Sequence, residues 1–168
     1  MKKITTAICL VIVFLLSACG PTRDEAVSYN DSIMNIIDSL SMEHTLLLEQ
    51  IDGHNIDSLK ITHTLFTEKA KASLERSKKI LPFAEKKEFC NAAVIYFSAM
   101  VSLADNEVKQ MVEIMEKGQT KISQFDLDKI NFLASAFDEA YGLVYDKILA
   151  VQIQFAKDWN FTLEDNKS

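Results

Sequence analysis

The stretch LDKINFLASAFDEAYGLVYDKILAVQIQF, residues 127–155, decides the fold. Its apolar residues recur at alternating steps of three and four: Leu127, Ile130, Ala134, Phe137, Tyr141, Val144, Ile148, Val151 and Phe155. Residues at these steps fall on one side of an α-helix and form a seam that a second helix can cover. Ser123 followed by Asp126 resembles a capping pair, so the pattern predicts a helix from Ser123 to about Asn160.

Three more helices are predicted before this one, each with a similar seam. They run from about Asp24 to Ile51, from about Ile56 to Leu81 and from about Phe83 to Lys117. The seams comprise Ala26, Asn30, Ile33, Ile37, Leu40, His44, Leu47 and Ile51; then Ile56, Leu59, His63, Phe66, Ala70, Ser73, Ser77 and Ile80; then Phe89, Cys90, Ala93, Phe97, Met100, Ala104, Val108, Met111 and Met115. Gly53 is expected to end the first helix in the left-handed conformation, and Pro82 to break the second.

The composition favours long helices with few chain reversals. The 168 residues are 48% hydrophobic and include four Gly and two Pro, where average usage gives roughly twelve and eight. Short connections make sequential helices antiparallel neighbours. We therefore predict one all-α domain over residues 24–162, an up-down-up-down antiparallel four-helix bundle, followed by a frayed polar tail at 163–168. A three-helix arrangement with one helix splayed is the alternative.

The N-terminus, MKKITTAICLVIVFLLSACG, has the pattern of a secretory signal. Lys2 and Lys3 precede an apolar run, Ala7 to Leu16, which is shorter than the roughly 20 residues that a membrane-spanning helix needs. The tetrapeptide Leu16-Ser17-Ala18-Cys19 closes this run and resembles the lipobox of bacterial lipoprotein signal peptides. An ordinary secreted protein with an incidental Cys19 is the alternative.

The resemblance implies a membrane anchor. Residues 1–18 would be cleaved as a signal peptide, and Cys19 would carry lipid on its thiol and a fatty acid such as palmitate on its amine. Residues 19–23 would then link the anchor to the bundle. Gly20 stands where lipoproteins retained at an inner membrane commonly have Asp, so the resemblance favours the outer membrane, on its periplasmic face or at the cell surface.

The charge of the mature chain disfavours a nucleic-acid partner. Removal of Lys2 and Lys3 with the signal leaves 16 basic against 24 acidic residues, a net charge of −8. The pairs at 78–79 and 86–87 are the densest lysine groups, but neighbouring glutamates dilute them. Net negative charge also repels anionic lipids, so membrane attachment is expected to rest on the acyl anchor. Cys90 would be the one remaining thiol and is expected to be a small buried hydrophobe.

No motif for a familiar enzyme or cofactor is present in the chain. The sequence has no Glu-x-x-His pair of the di-iron bundles, no His-Glu-x-x-His, no glycine-rich phosphate loop and no Gly-x-Ser-x-Gly elbow. A hydrolase is therefore disfavoured, and we expect a non-enzymatic protein without a cofactor.

Two histidines form the one group of residues whose positions in the predicted helices suggest a binding site. His44 and His63 are equally far from the turn at Gly53 and His54, so they should lie at one level of the bundle. Tyr141 is predicted at this level, Glu107 lies just beyond it, and Asp138 and Gly142 are also near it. Imidazole and carboxylate groups suit Zn²⁺ or Cu²⁺, and the same groups could bind an organic ligand. The alternative is a buried polar layer that sets helix register.

Gly142 and His54 complete this set of predictions. Gly142 lies in mid-helix and is expected to allow a close approach of a neighbouring helix or a ligand, with close helix packing favoured. His54, at the turn, is expected to be exposed to solvent.

These observations favour an anchored interaction or structural module. In this hypothesis an exposed helix face carries the activity, and the partners are the membrane, through the N-terminal lipid, and another envelope protein. The alternative function is a metal or small-ligand binder that uses His44, His63, Tyr141 and Glu107, with the identity of any metal left open.

Overall fold

The computed structural model describes residues 20–53 and 55–163, and these fold as an all-helical domain in which four long helical segments pack together. The predicted all-α class is therefore confirmed. The predictions for residues 1–18, Cys19, His54 and the tail at 164–168 lie outside the described residues. None of the described helices is both long and apolar enough to cross a bilayer.

The helices are α1 (Arg23–Asp52), α2 (Ile56–Ser77), α3 (Glu88–Leu103), α4 (Lys109–Met115) and α5 (Gln124–Asp158). A π-helical segment, Ala104–Val108, joins α3 to α4 without a break, and a short 3₁₀ turn, Gln119–Lys121, precedes α5. Helix α1 packs on α2, α2 on α3, and α3 on α5. Every buried hydrophobic residue of the described chain lies between Ala26 and Phe161, so this segment holds the whole core.

Local side-chain chemistry sets where the helices begin. Thr22 accepts a hydrogen bond from the Glu25 backbone while the Glu25 carboxylate accepts one from the Thr22 N–H, which closes a capping box at the start of α1. Ser123 and Asp126 form the same motif at the start of α5, as predicted. Lys117 also donates to Asp126 at 2.5 Å, and this contact leads the causes that lower the pKa of Asp126 to about 2.

The connection between α2 and α3 is longer than predicted. Helix α2 ends at Ser77, not Leu81, because Pro82 has no N–H to bond the carbonyl four residues earlier and disfavours helical geometry in the residue before it. Helix α3 begins at Glu88, not Phe83, because Ala84 and Glu85 take positive φ angles of 49° and 66°. The prediction for Gly53 was also wrong, since its φ of −72° is right-handed.

The seams predicted from the sequence form most of the core. All eight predicted residues of the α1 seam and all nine on the apolar face of the third helix are buried, including Cys90. Along α5 the agreement is weaker, because Phe137, Ile148 and Phe155 are buried whereas Leu127 is 39% exposed. An aromatic cluster closes one end of the core and consists of Tyr29, Phe83, Phe89, Phe155 and Trp159.

Candidate functional site

His44 lies inside the core and packs between aromatic rings. Its ring centroid is 4.2 Å from that of Tyr141 and 5.2 Å from that of Phe137, both in stacked geometry. Helix α1 supplies the histidine and α5 supplies both rings. The His44 Nε2 atom is buried and has no hydrogen-bond partner among the described residues, which is uncommon for a buried polar atom.

Tyr96 adds a second buried polar atom on the other neighbour of Tyr141. Its side chain is only 1% exposed, and its hydroxyl also lacks a hydrogen-bond partner among the described residues. Its ring lies 6.4 Å from those of Tyr141 and Tyr145, which stack on each other at 5.7 Å. His44, Tyr96, Tyr141 and Tyr145 are named here the tyrosine–histidine cluster.

Burial controls the protonation of the tyrosine–histidine cluster. It lowers the pKa of His44, and the negative charge of Asp138 opposes that shift. Burial also raises the pKa of Tyr96 and of Tyr145, with the neighbouring Tyr141 acting in the same direction. Near neutral pH His44 is therefore a neutral imidazole, and Tyr96 and Tyr145 are neutral phenols, which can exchange hydrogen bonds with a polar ligand.

His63 has a different environment from His44. Its Nε2–H donates to the backbone carbonyl of Ala104 at 2.9 Å. Ala104 is the first residue of the π-helical segment, whose wider turn changes the carbonyl directions from those of an α-helix. Glu107 belongs to the same segment and is half-buried. His63 therefore ties α2 to the π-helical segment.

The structure brings together only part of the predicted site. His44 and Tyr141 stack, whereas His63 bonds to backbone and Glu107 lies in the π-helical segment. Within residues 20–53 and 55–163, no three His, Cys, Asp or Glu side chains are grouped so that they could hold a metal ion. His44, His63 and Glu107 thus do not form such a group.

The close helix packing predicted at Gly142 is wrong. A Cβ atom built on Gly142 would have no atom within 4 Å outside its immediate surroundings in the helix. A side chain at this position would meet open space, so helix packing does not require glycine there. Asp138, which was predicted one turn from Tyr141, is exposed and acts on His44 only through its charge.

Tyr96 and Tyr145 were absent from the predicted site although the sequence carries a signal for one of them. Tyr96 follows Ala93 by three residues and precedes Met100 by four, so it shares the apolar face of the third helix. Tyr145 lies off the predicted α5 seam, one turn beyond Tyr141, and joins the cluster because the two rings stack.

A second feature lies on the outside of α5. Phe125, Phe132 and Leu143 are 75%, 72% and 56% exposed. They are separated by seven and eleven residues, spacings that return to within about 20° of the same side of a helix. These three residues are named here the apolar stripe, which extends for about 27 Å along α5 at 1.5 Å per residue.

Neither family models nor curated proteins nor solved structures matched the chain in comparisons. The two features that bear on function are therefore the tyrosine–histidine cluster in the core and the apolar stripe on the surface. The cluster offers neutral polar groups to a small ligand, and the stripe offers a row of apolar side chains to a partner.

Proposed function

We propose that the protein is a lipid-anchored bacterial envelope protein that binds another envelope protein through the apolar stripe and has no enzymatic activity. The observation that carries this proposal is the exposure of two phenylalanines and a leucine on one side of α5. A partner that lies along α5 would cover all three side chains and remove their apolar surface from water. Lysine and aspartate residues flank the stripe and would keep the free protein soluble.

The anchor is proposed from the lipobox-like tetrapeptide that ends at Cys19. Helix α1 begins at Arg23, so only residues 20–22 separate the cysteine from the bundle. Three residues span at most about 11 Å when extended. A lipid on Cys19 would hold the bundle directly against the membrane. The apolar stripe would then lie along the lateral surface of the bundle. The lack of Asp after Cys19 favours the outer membrane.

We infer that the helices follow the up-down-up-down antiparallel order. The connections after α1 and before α5 are short, and pairs of contacting residues progress in opposite directions along neighbouring segments. Four contacts support this order: Arg23 with Asn160, Asn30 with Gln152, Lys71 with Asp105, and Lys60 with Glu116. Cysteines introduced at positions 30 and 152 should be joined by a short bifunctional thiol crosslinker if α1 and α5 adopt this arrangement.

Lipidation can be tested in intact bacteria. Metabolic labelling with a palmitate analogue should mark the native chain, and Cys19→Ala should remove both the label and the chain from the membrane fraction. The variant Cys90→Ala is the matched control, because it removes the buried thiol and should keep the label. A native chain that stays unlabelled would contradict the anchor.

The partner site can be tested by photocrosslinking. A photoreactive amino acid at position 132 should give a discrete crosslinked product in intact cells, identified by mass spectrometry. The same amino acid at position 42, which is similarly exposed on α1, should not give that product. The variant Phe132→Asp should abolish crosslinking from position 125. Identical products from positions 42 and 132, or none from the stripe, would contradict the proposal.

A small-ligand or metal binder is the second candidate function. The tyrosine–histidine cluster favours it, because His44 Nε2 and the Tyr96 hydroxyl are buried without partners among the described residues and each could bond to a ligand. Native mass spectrometry and metal analysis of purified protein should then reveal a bound species in the native chain and not in His44→Phe. The variant His63→Phe separates the two histidines, since His63 bonds to backbone. A species retained by His44→Phe would contradict this function.

A further inference from the structure

The connection KKILPFAEKK, residues 78–87, lies beside the start of the described chain. Phe83 lines one shallow cavity together with Gly20, Pro21 and Thr22. Lys86 bonds Asp158 at 2.8 Å, which brings the end of α5 to the same place. Residues 20–22, 78–87 and 158–161 are named here the anchor end, because a lipid on Cys19 would emerge from it.

The connection is held in a defined shape. The Phe83 ring packs edge-on against Trp159 at 4.9 Å and lies 5.1 Å from the Tyr29 ring. An isolated β-bridge between Phe83 and Lys86 closes a turn through two residues with positive φ. Phe83 therefore fastens the connection to the core.

Leu81 is presented outward from this rigid connection. It is 80% exposed, the highest value among the exposed large hydrophobic residues of the described chain. Phe83, two residues away, is turned into the aromatic cluster instead. An isolated apolar side chain at this place has no partner in the fold, and the hydrocarbon of a membrane would bury it.

Lys79 and Lys87 are the cationic side chains beside Leu81 that form no salt bridge among the described residues. The connection at 78–87 contains four lysines, and the carboxylates within it and next to it equal them in number. Lys78 pairs with Glu75 and Lys86 with Asp158, and Glu85 and Glu88 are the other acidic residues next to the connection. Lysines near a membrane surface gain energy from anionic lipids and keep their stems in the interface.

We propose that residues 78–87 form a membrane-docking loop, in which Leu81 enters the interface and Lys79 and Lys87 contact the phosphates of anionic phospholipids. This inference rests on the proposed anchor, which would bring the loop to the membrane surface. The affinity of the loop for lipid vesicles can nevertheless be measured on the chain without lipid. The acidic body would then face away from the membrane, and the acyl anchor would not act alone.

Binding of the unlipidated chain tests the loop by itself. The chain 20–168 contains the whole described core, so it can be purified without the signal segment. Its partition coefficient is measured by sedimentation with vesicles of phosphatidylcholine and phosphatidylglycerol. Leu81→Asp should lower that coefficient at least tenfold. Changing both Lys79 and Lys87 to Gln should lower it roughly 25-fold, at about fivefold per lysine.

A matched control lies at the other end of the molecule. Phe125 is about as exposed as Leu81 and is about 50 Å away along α5, so Phe125→Asp should change the coefficient by less than about twofold. Equal losses for Phe125→Asp and Leu81→Asp would overturn the proposal, as would a native chain that does not prefer anionic vesicles. Circular dichroism of each variant checks that the fold is kept.

Depth measurement on the lipidated protein places the loop in the membrane. Trp159 is the one tryptophan of the chain, so Trp159→Phe with Leu81→Trp gives a single reporter at the loop. Brominated phospholipids should quench this reporter several-fold more than one placed by Phe125→Trp in the same background. Equal quenching of the two reporters would overturn the proposal that the loop enters the membrane interface. Mass spectrometry of the purified chain tests lipidation separately, so failure of the anchor and failure of the loop are distinguishable.

Discussion

Replacement of Tyr96 by Phe should stabilise the protein. The side chain is only 1% exposed, and its hydroxyl has no hydrogen-bond partner among the described residues. A buried hydroxyl without a partner costs about 1–3 kcal/mol. Tyr96→Phe removes this cost and keeps the ring that packs edge-on against Phe97 at 5.1 Å. We expect the free energy of unfolding to rise by about 1 kcal/mol.

Urea and thermal unfolding of residues 20–168 measure this change. For a domain of about 150 residues, 1 kcal/mol corresponds to a rise of roughly 3 °C in Tm. Tyr145→Phe is the control, because that residue is only half-buried and should change stability by less than about 0.5 kcal/mol.

A loss of about 1 kcal/mol or more in Tyr96→Phe would refute this reasoning, because it would mean that the hydroxyl is hydrogen-bonded in solution. Ser41 and Tyr141 are the neighbouring hydroxyl groups that influence its pKa. Double-mutant cycles with Ser41→Ala and Tyr141→Phe would then identify the partner. If the tyrosine–histidine cluster holds a ligand, Tyr96→Phe should weaken its binding, and the gain in stability should be seen when the two chains are compared free of ligand.

Four further changes test other parts of the fold by urea denaturation. Gly142→Ala should stabilise the chain by about 1 kcal/mol, because alanine favours a helix interior and the space is open; a loss would mean that a group contacts this site. Ser123→Ala should destabilise it by about 1 kcal/mol through loss of the α5 cap, and an unchanged midpoint would contradict that role. Phe83→Ala should cost roughly 2 kcal/mol and shift the fluorescence emission of Trp159 to the red, whereas unchanged emission would show that the two rings do not pack in solution. Burial lowers the pKa of His44, so the unfolded chain binds a proton more readily than the folded chain as pH falls below the ordinary value of 6.5. The contribution of neutral His44 to the free energy of unfolding is fully present above that value and should be lost below it. His44→Phe should therefore weaken the pH dependence of the free energy of unfolding between pH 7.5 and pH 5.

The tyrosine–histidine cluster shows where sequence spacing succeeds and where it fails. His44 was predicted from the α1 seam, and it is buried and stacked on Tyr141 as that spacing requires. The level of His63 was also predicted, but spacing does not give the direction of a side chain. The π-helical segment presents the Ala104 carbonyl to His63, and no periodic pattern in the sequence predicts that wider turn.

The connection between α2 and α3 illustrates a second limit. Pro82 predicted a break, but the break extends from residue 78 to residue 87 because the Phe83 ring enters the aromatic cluster. The ring contacts Tyr29 and Trp159, which lie 54 and 76 residues away in the chain. Local propensity carries no information about such distant partners, so the predicted end of α2 and the predicted start of α3 were wrong.

By itself the sequence determined the all-α class, the four helical segments and most of the buried seams. Helix periodicity, capping pairs and the breaks expected at Gly53 and Pro82 act within a few residues, so each of these features can be derived locally. Tertiary structure alone decided the environments of His44 and His63, the burial of the Tyr96 hydroxyl, and the outward position of Leu81 beside the lysines. These features depend on how side chains from distant segments pack together in the core. A closely packed core has room for some of these side chains only, and the others remain exposed to solvent.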